Sequence, residues 1–325
     1  SIADIQWSDN SKRIWIGYDD LGVGRAAEVD LNGKLRKAEI VIGGTAIGRP
    51  YTSGAFSVAG DARLAFTQGR DDRPADIAVF RPGKAPLQLT DLNSDLMGQR
   101  QMARVERLVW PSSHDELMIE GWVMKPPGFD PSRQYPMILE IHGGPHAAYG
   151  PNYSTEAQLY AAAGYVVFYT NPRGSTSYGD TFANEIDLAY PGYDYDDLMS
   201  GVDALIEKGF VDPTQMFVTG GSGGGVLTAW IVGKTDRFRA AVVAKPVINW
   251  ASFVLTADVN YYFATTWFDA PPWEDYESYW RRSPLSLVGN VSTPTMLLTG
   301  ENDYRTPMSE TEQYYQALKH RGIDT

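Results

Sequence analysis

The run Met216-Phe-Val-Thr-Gly220-Gly221-Ser222-Gly223-Gly224-Gly225, followed by the apolar stretch Val226–Val232, restricts what this chain can fold into more than any other feature. A strand-like segment enters a G-x-S-x-G turn and a helical segment leaves it. Such a corner needs small residues, because the strand and the helix pass close to each other. It puts Ser222 on a strained turn with its hydroxyl presented. Gly223 can then offer a backbone N–H at a helix N-terminus, where developing negative charge is favoured. A phosphate cradle would place a lysine after the glycines, and none follows. Ser222 is the candidate nucleophile and Gly223 a candidate oxyanion donor.

The rest of the chain has two textures. Before residue 100, short alternating segments are broken by Gly, Asp and Pro: Asp4–Trp7, Arg13–Gly17, Arg25–Asp30, Ala55–Val58, Arg63–Thr67, Asp76–Phe80 and Leu87–Leu89. They read as antiparallel strands joined by tight turns. Trp7-Ser8, Ser11-Lys12 and Ile14 resemble Phe56-Ser57, Gly60-Asp61 and Leu64, an offset of 49 residues with one insertion. Propeller blades repeat at about 40–50 residues, although two unrelated meanders would give the same trace. After Tyr135, continuous apolar runs suit buried parallel strands: Met137–His142, Tyr165–Thr170, Met216–Thr219, Ala240–Ala244 and Thr295–Thr299. Between them lie helical segments, such as Asp194–Lys208 with Leu198, Val202, Leu205 and Ile206 on one face. Ser309-x-x-Glu312 reads as a capping box opening a last helix that closes at Gly322. The expected architecture is an α/β-hydrolase domain, a doubly wound, mostly parallel sheet over residues 101–325. Antiparallel blades of a partial β-propeller over residues 1–100 precede it.

In this fold the triad runs Ser, Asp/Glu, His along the chain. The last apolar run leads into Gly300-Glu301-Asn302-Asp303. Asp303 stands where a carboxylate can hold an imidazole in its working tautomer, with Glu301 as its local rival. Of the four histidines, only His320 follows Asp303, and it sits between Lys319 and Arg321 at a helix end. Basic residues there are solvated and favoured by the helix dipole. A strand and a turn should precede the triad histidine, which places it roughly ten residues beyond Thr325. The expectation is a chain cut before its base, with no turnover on its own. On the other side, Met137–His142 opens into His142-Gly143-Gly144-Pro145-His146, the position of the second oxyanion donor. Pro145 has no N–H, so Gly144 or Gly143 must supply it.

With these motifs in order, the sequence resembles the prolyl oligopeptidase family of serine peptidases, in particular its acylaminoacyl- and dipeptidyl-peptidase-like branches. The resemblance rests on Lys125-Pro-Pro-Gly-Phe-Asp-Pro131, Glu140-Ile-His-Gly-Gly-Pro145, Asn171-Pro-Arg-Gly-Ser175, Tyr178-Gly179, Gly201-Val-Asp-Ala-Leu205, Val218-Thr-Gly-Gly-Ser222, Arg282-Ser-Pro-Leu285 and Gly300-Glu-Asn-Asp-Tyr-Arg-Thr-Pro307. It implies a propeller before the hydrolase, catalytic Ser222 and Asp303, and oxyanion N–H groups at Gly144 and Gly223. His142 stands where other branches place an oxyanion tyrosine, which implies a helping role at the substrate. Gly223 replaces a tyrosine common in the family, which would widen the pocket. About two blades are present, and propellers close with about 4–8.

The implied reaction is hydrolysis of short or N-acylated peptides through an acyl-enzyme. An esterase with the same machinery and a non-catalytic binding protein on the same fold are the rivals. The aromatic-rich stretch Trp250–Trp280 would either line an apolar pocket or pack a cap or subunit surface. Arg305 and Arg173 are candidate partners of a peptide carboxylate, with structural ion pairing as the stronger reading for each.

Composition narrows the partners. The 28 basic and 40 acidic residues give a formal net charge of −12, which opposes nucleic acid and anionic membranes. Apolar runs fall short of the ~20 residues that span a bilayer. Cysteine is absent, and His142 and His146 lack further ligands, so no metal or cofactor is expected. A peptide is the expected partner, and a homo-oligomer is compatible with the sequence. Cytoplasm and bacterial periplasm both remain open. No signal peptide is visible, although the chain begins at Ser1, which is compatible with a missing upstream segment.

Overall fold

A computed structural model of the chain describes residues 2–8, 11–60 and 63–325. Asp61, one element of the internal repeat, lies outside them. The first part holds two four-stranded antiparallel sheets in sequential order. One consists of β1 (Ile2–Trp7), β2 (Arg13–Asp20), β3 (Val23–Asp30) and β4 (Leu35–Lys37). The other consists of β5 (Phe56–Val58), β6 (Leu64–Gln68), β7 (Asp76–Phe80) and β8 (Leu87–Gln88). Alternation produces them: Trp15, Ala26, Phe56, Leu64, Phe66, Ala78 and Phe80 turn inward and form one core between the sheets.

A short helix, α1 (Ser94–Met97), leads to a seven-stranded sheet. Its strands are β9 (Val105–Pro111), β10 (Met118–Met124), β11 (Tyr135–Ile141), β12 (Val166–Asn171), β13 (Val211–Gly221), β14 (Ala240–Ala244) and β15 (Thr295–Leu298), in the order β15-β14-β13-β11-β12-β10-β9. From β15 to β12 neighbours run parallel, whereas β10 pairs antiparallel with β12 and with β9. The helices are α2 (Thr155–Ala162), α3 (Asp180–Asn184), α4 (Asp194–Ile206), α5 (Gly223–Lys234), α6 (Trp250–Thr256), α7 (Asn260–Thr266), α8 (Tyr276–Arg282) and α9 (Met308–His320). Helix α5 is buried all round, from Gly223 to Gly233. Glycine permits this, because a Cβ on Gly224 would lie 2.1 Å from the Ile141 carbonyl oxygen and one on Gly225 2.5 Å from that of Ala244. The small residues of the opening motif thus seat α5 directly on β11 and β14.

Helix α9 does not open with a capping box. Its N-cap is Pro307 with no side-chain hydrogen bond, and Ser309 already lies in the first turn. Gly322 closes it at φ +70°, its N–H on the Lys319 carbonyl. The chain then returns beside β15, where the Thr295 N–H donates to the Asp324 carbonyl at 3.0 Å.

The two parts of the chain are stitched together by backbone hydrogen bonds. Gly150 N–H donates to the Pro50 carbonyl at 2.8 Å and Thr52 N–H to that of Ala148 at 2.9 Å, around a bridge between Tyr51 and Tyr149. Gly22 N–H donates to Ser177 Oγ at 2.7 Å. This brings residues 49–52 to the end of the parallel sheet.

Candidate active site

Strand β13 ends at Gly221 and α5 begins at Gly223, so Ser222 occupies the corner, with φ +59° and ψ −120°. A non-glycine residue rarely adopts such a conformation, and it persists only where the surroundings impose it. Here they do: Ser222 N–H donates to the Ala244 carbonyl at 3.0 Å, and its own carbonyl accepts from Val226 N–H at 3.0 Å. The half-buried side chain faces a pocket of ≈ 590 Å³. That volume lies within the usual range of ligand pockets.

The two oxyanion candidates meet at this corner. A Cβ built on Gly223 would lie 3.1 Å from both N and C of Gly144. Gly144 is exposed and lines the pocket beside Ser222. Its neighbour Gly143 is buried and already committed, because its N–H donates to the Tyr51 hydroxyl at 2.8 Å. Gly144 is therefore the free donor of the pair, and Gly223, at the first turn of α5, is the other. The room expected beside Gly223 is not open space. The same built Cβ would lie 3.1 Å from the Tyr190 hydroxyl, which donates to the Gly223 carbonyl at 2.8 Å.

Asp303 follows Thr299 and Gly300, both of which line the pocket. Its Oδ1 accepts from the N–H groups of Arg305 at 3.0 Å and Thr306 at 2.9 Å. No partner among the described residues occupies Oδ2, so one carboxylate oxygen anchors the loop and the other is available. Glu301 is exposed.

None of the histidines lines this pocket. His142 is 3% exposed; its Nδ1 meets the Gly143 carbonyl at 2.7 Å and its Nε2 meets Ser175 Oγ at 2.9 Å. Burial lowers its pKa to about 4, so it is neutral. The ring braces the Gly143-Gly144 loop from behind and does not line the pocket. His146 Nδ1 lies 3.0 Å from the Gly174 carbonyl, with its ring stacked on Trp267. His114 stacks on Tyr193, and His320 is exposed at the end of α9.

Arg305 is exposed and paired with Asp258 at 2.6 Å, outside the pocket lining. Arg173 is structural: at 2% exposure its guanidinium makes 2.9 Å bonds to both oxygens of the fully buried Asp197. The acidic first turn of α4 therefore serves an internal ion pair as well as the helix dipole. The aromatics also resolve as packing. Trp250, Phe253, Trp267, Phe268 and Tyr279 are buried against one another, Tyr261 and Trp273 are exposed, and none lines the pocket.

Three pocket residues had drawn no notice in the sequence. Tyr51 and Arg49 come from the stitched segment, and Lys245 follows β14. Arg49 Nε lies 2.8 Å from Glu156 and 3.3 Å from Glu140. Burial opposes its charge, but the two carboxylates more than offset this and raise its pKa. Burial likewise pushes Glu140 up to about 7 despite Arg49, which Glu140 shares with Glu156. Nothing local marks these residues, since Arg49 meets Glu156 107 positions away, Tyr51 meets Gly143 92 positions away, and the Lys245 backbone meets Leu298 on another strand.

Residues 151–325 match the model of the prolyl oligopeptidase family. The uncharacterized peptidase YuxL of Bacillus subtilis is 42% identical over 257 residues, which cover 79% of this chain and 39% of that protein. Dipeptidyl-peptidase 5 of Schizosaccharomyces pombe is 31% identical over 251 residues, 74% of this chain and 36% of its own. Acylaminoacyl peptidase from Pyrococcus horikoshii superposes with a TM-score of 0.88 at 25% identity, over 100% of this chain and 50% of that one. The chain thus spans half or less of the length of these relatives.

Proposed function

Since this chain belongs to the prolyl oligopeptidase family, we propose that it carries the nucleophile, acid and oxyanion groups of a serine peptidase acting on short or N-acylated peptides. The observation that carries the reading is Ser222 at φ +59° on the β13–α5 corner, beside Gly144 and over an open pocket. Ser222 Oγ attacks the peptide carbonyl carbon, and its proton passes to a histidine base. Gly144 and Gly223 N–H groups hold the oxyanion. The C–N bond breaks as the imidazolium returns the proton to the departing amine, and water then cleaves the acyl-enzyme by the same route. Asp303 Oδ2 orients the base. The placements of His114, His142, His146 and His320 favour a base from outside these 325 residues. The two four-stranded sheets support reading residues 1–100 as two propeller blades and residues 101–325 as the hydrolase domain.

Treatment of the full-length protein with a fluorophosphonate probe, followed by peptide mapping, tests the reading. Labelling at Ser222, lost in Ser222→Ala, is expected. A folded protein that leaves Ser222 unlabelled would put the binding-protein alternative in front. Turnover of esters with none of matched amides would favour the esterase.

A further inference from the structure

The pocket lining beside Ser222 holds two cationic side chains, Arg49 and Lys245. A Cβ placed on Gly221, the residue before the nucleophile, would lie 3.0 Å from Arg49 Nη1 and 3.4 Å from Lys245 Cε. Two positive side chains from distant parts of the chain therefore flank one point next to the attacking hydroxyl. They differ in how they are compensated. Arg49 is held through Nε by Glu140 and Glu156, which leaves Nη1 directed at the pocket. Lys245 is exposed and has no acidic partner among the described residues. The described residues lining the pocket include no aspartate or glutamate. This occurs in a chain of net charge −12, whose overall field repels anions. Lys245 also has φ +40°, an unfavourable conformation for a lysine that recurs at functional sites.

A lysine without an acidic partner beside a guanidinium whose Nη1 edge is free of its two carboxylates favours an anion between them, and a planar carboxylate matches that edge. We propose that Arg49 and Lys245 form a carboxylate subsite beside Ser222. Favoured substrates then carry a free carboxylate near the scissile bond, either the C-terminal α-carboxylate or an acidic side chain. The inference rests on the peptidase reading above and adds to it the class of substrate.

The test uses the full-length protein and two matched peptide pairs, with cleavage followed by mass spectrometry. One pair is an N-acetylated tripeptide as free acid and as C-terminal amide; the other exchanges glutamate for glutamine next to the cleaved bond. One pair should show a preference for the carboxylate of about 10- to 100-fold in kcat/KM, the range of one charge-assisted hydrogen bond. The free-acid pair identifies an α-carboxylate, the glutamate pair a side chain. Lys245→Gln should reduce that ratio by about 10-fold, and Lys245→Glu should invert it. Because the readout is a ratio within one variant, reduced folding does not imitate it. Equal cleavage within both pairs, or a ratio unmoved by Lys245→Gln, overturns the subsite. If wild-type Ser222 takes the fluorophosphonate in that case, the subsite alone fails; if it does not, the peptidase reading fails first.

Discussion

Replacing Tyr51 with Phe isolates a single hydrogen bond between the two parts of the chain. The ring keeps its edge contact with Tyr149, at 4.7 Å between centroids, and loses only the hydroxyl that accepts from Gly143 N–H at 2.8 Å. Gly143 is buried, so its amide is left without a partner. Such an orphan costs about 1–3 kcal/mol. Melting temperature should fall by ~2–4 °C for each kcal/mol in a domain of 150–250 residues. The loop can recover part of this cost by turning Gly143 towards water, and that motion displaces the adjacent Gly144 N–H. Full loss of one oxyanion donor costs about 10²- to 10³-fold. A displaced donor should therefore slow the reaction by roughly 10-fold, which corresponds to about 1.4 kcal/mol. The assay is the second-order rate of fluorophosphonate labelling at Ser222 together with kcat/KM on a peptide. Rates within twofold of wild type, whatever the melting temperature, would refute the link between Tyr51 and the oxyanion donors.

Asp303→Asn keeps the Oδ1 acceptor that holds Arg305 and Thr306 but removes the charge and offers the base the wrong group. It should lower kcat by roughly 10⁴-fold with little change in melting, and activity within 10-fold of wild type would move the acid elsewhere. The pH dependence of stability should hold two opposing contributions. Glu140, raised to about 7 from 4.5 by burial, stays protonated in the fold while the unfolded chain ionises. Its contribution to stability therefore falls as pH rises from 4.5 to 7, with a slope approaching about 1.4 kcal/mol per unit. His142, lowered to about 4 from 6.5, acts the other way, and its contribution is lost as pH falls from 6.5 to 4. Denaturant titrations across pH 4.5–6.5 should show Glu140→Gln shifting the slope upward and His142→Gln shifting it downward; parallel curves would remove both groups from the linkage.

The sheet and the Ser222 corner were legible because they rest on local patterns. Ala240–Ala244 and Asp76–Phe80 coincide with β14 and β7. Tyr165–Thr170 misses β12 by one residue at each end. The antiparallel edge was not read. β9 mixes Glu106, Arg107 and Pro111 with its apolar residues, and β10 is interrupted by Glu120 and Gly121. Those polar residues are explained only by partners on other elements, such as Tyr178, whose hydroxyl donates to Glu120 at 2.7 Å. The same separation hid Tyr51, Arg49 and Lys245: each sits in an unremarkable loop, and its role exists only after β11, β13 and β14 are aligned. The aromatic stretch failed differently. Composition marks Trp250–Trp280 as rich in aromatics, but burial within the fold, burial around a ligand and the exposure of Tyr261 and Trp273 look the same in sequence.

The backbone stitching of residues 49–52 onto Ala148–Gly150 bears on how such proteins can be rearranged. A chain opened at residue 101 would retain Ser222, Gly144 and Asp303 yet leave Gly143 N–H without its acceptor and one wall of the pocket missing. Swapping the antiparallel sheets for those of a relative would likewise exchange Arg49 and Tyr51. A cut between the antiparallel sheets and the parallel one runs through the lining of the pocket, so the two halves must be inherited, or engineered, as one.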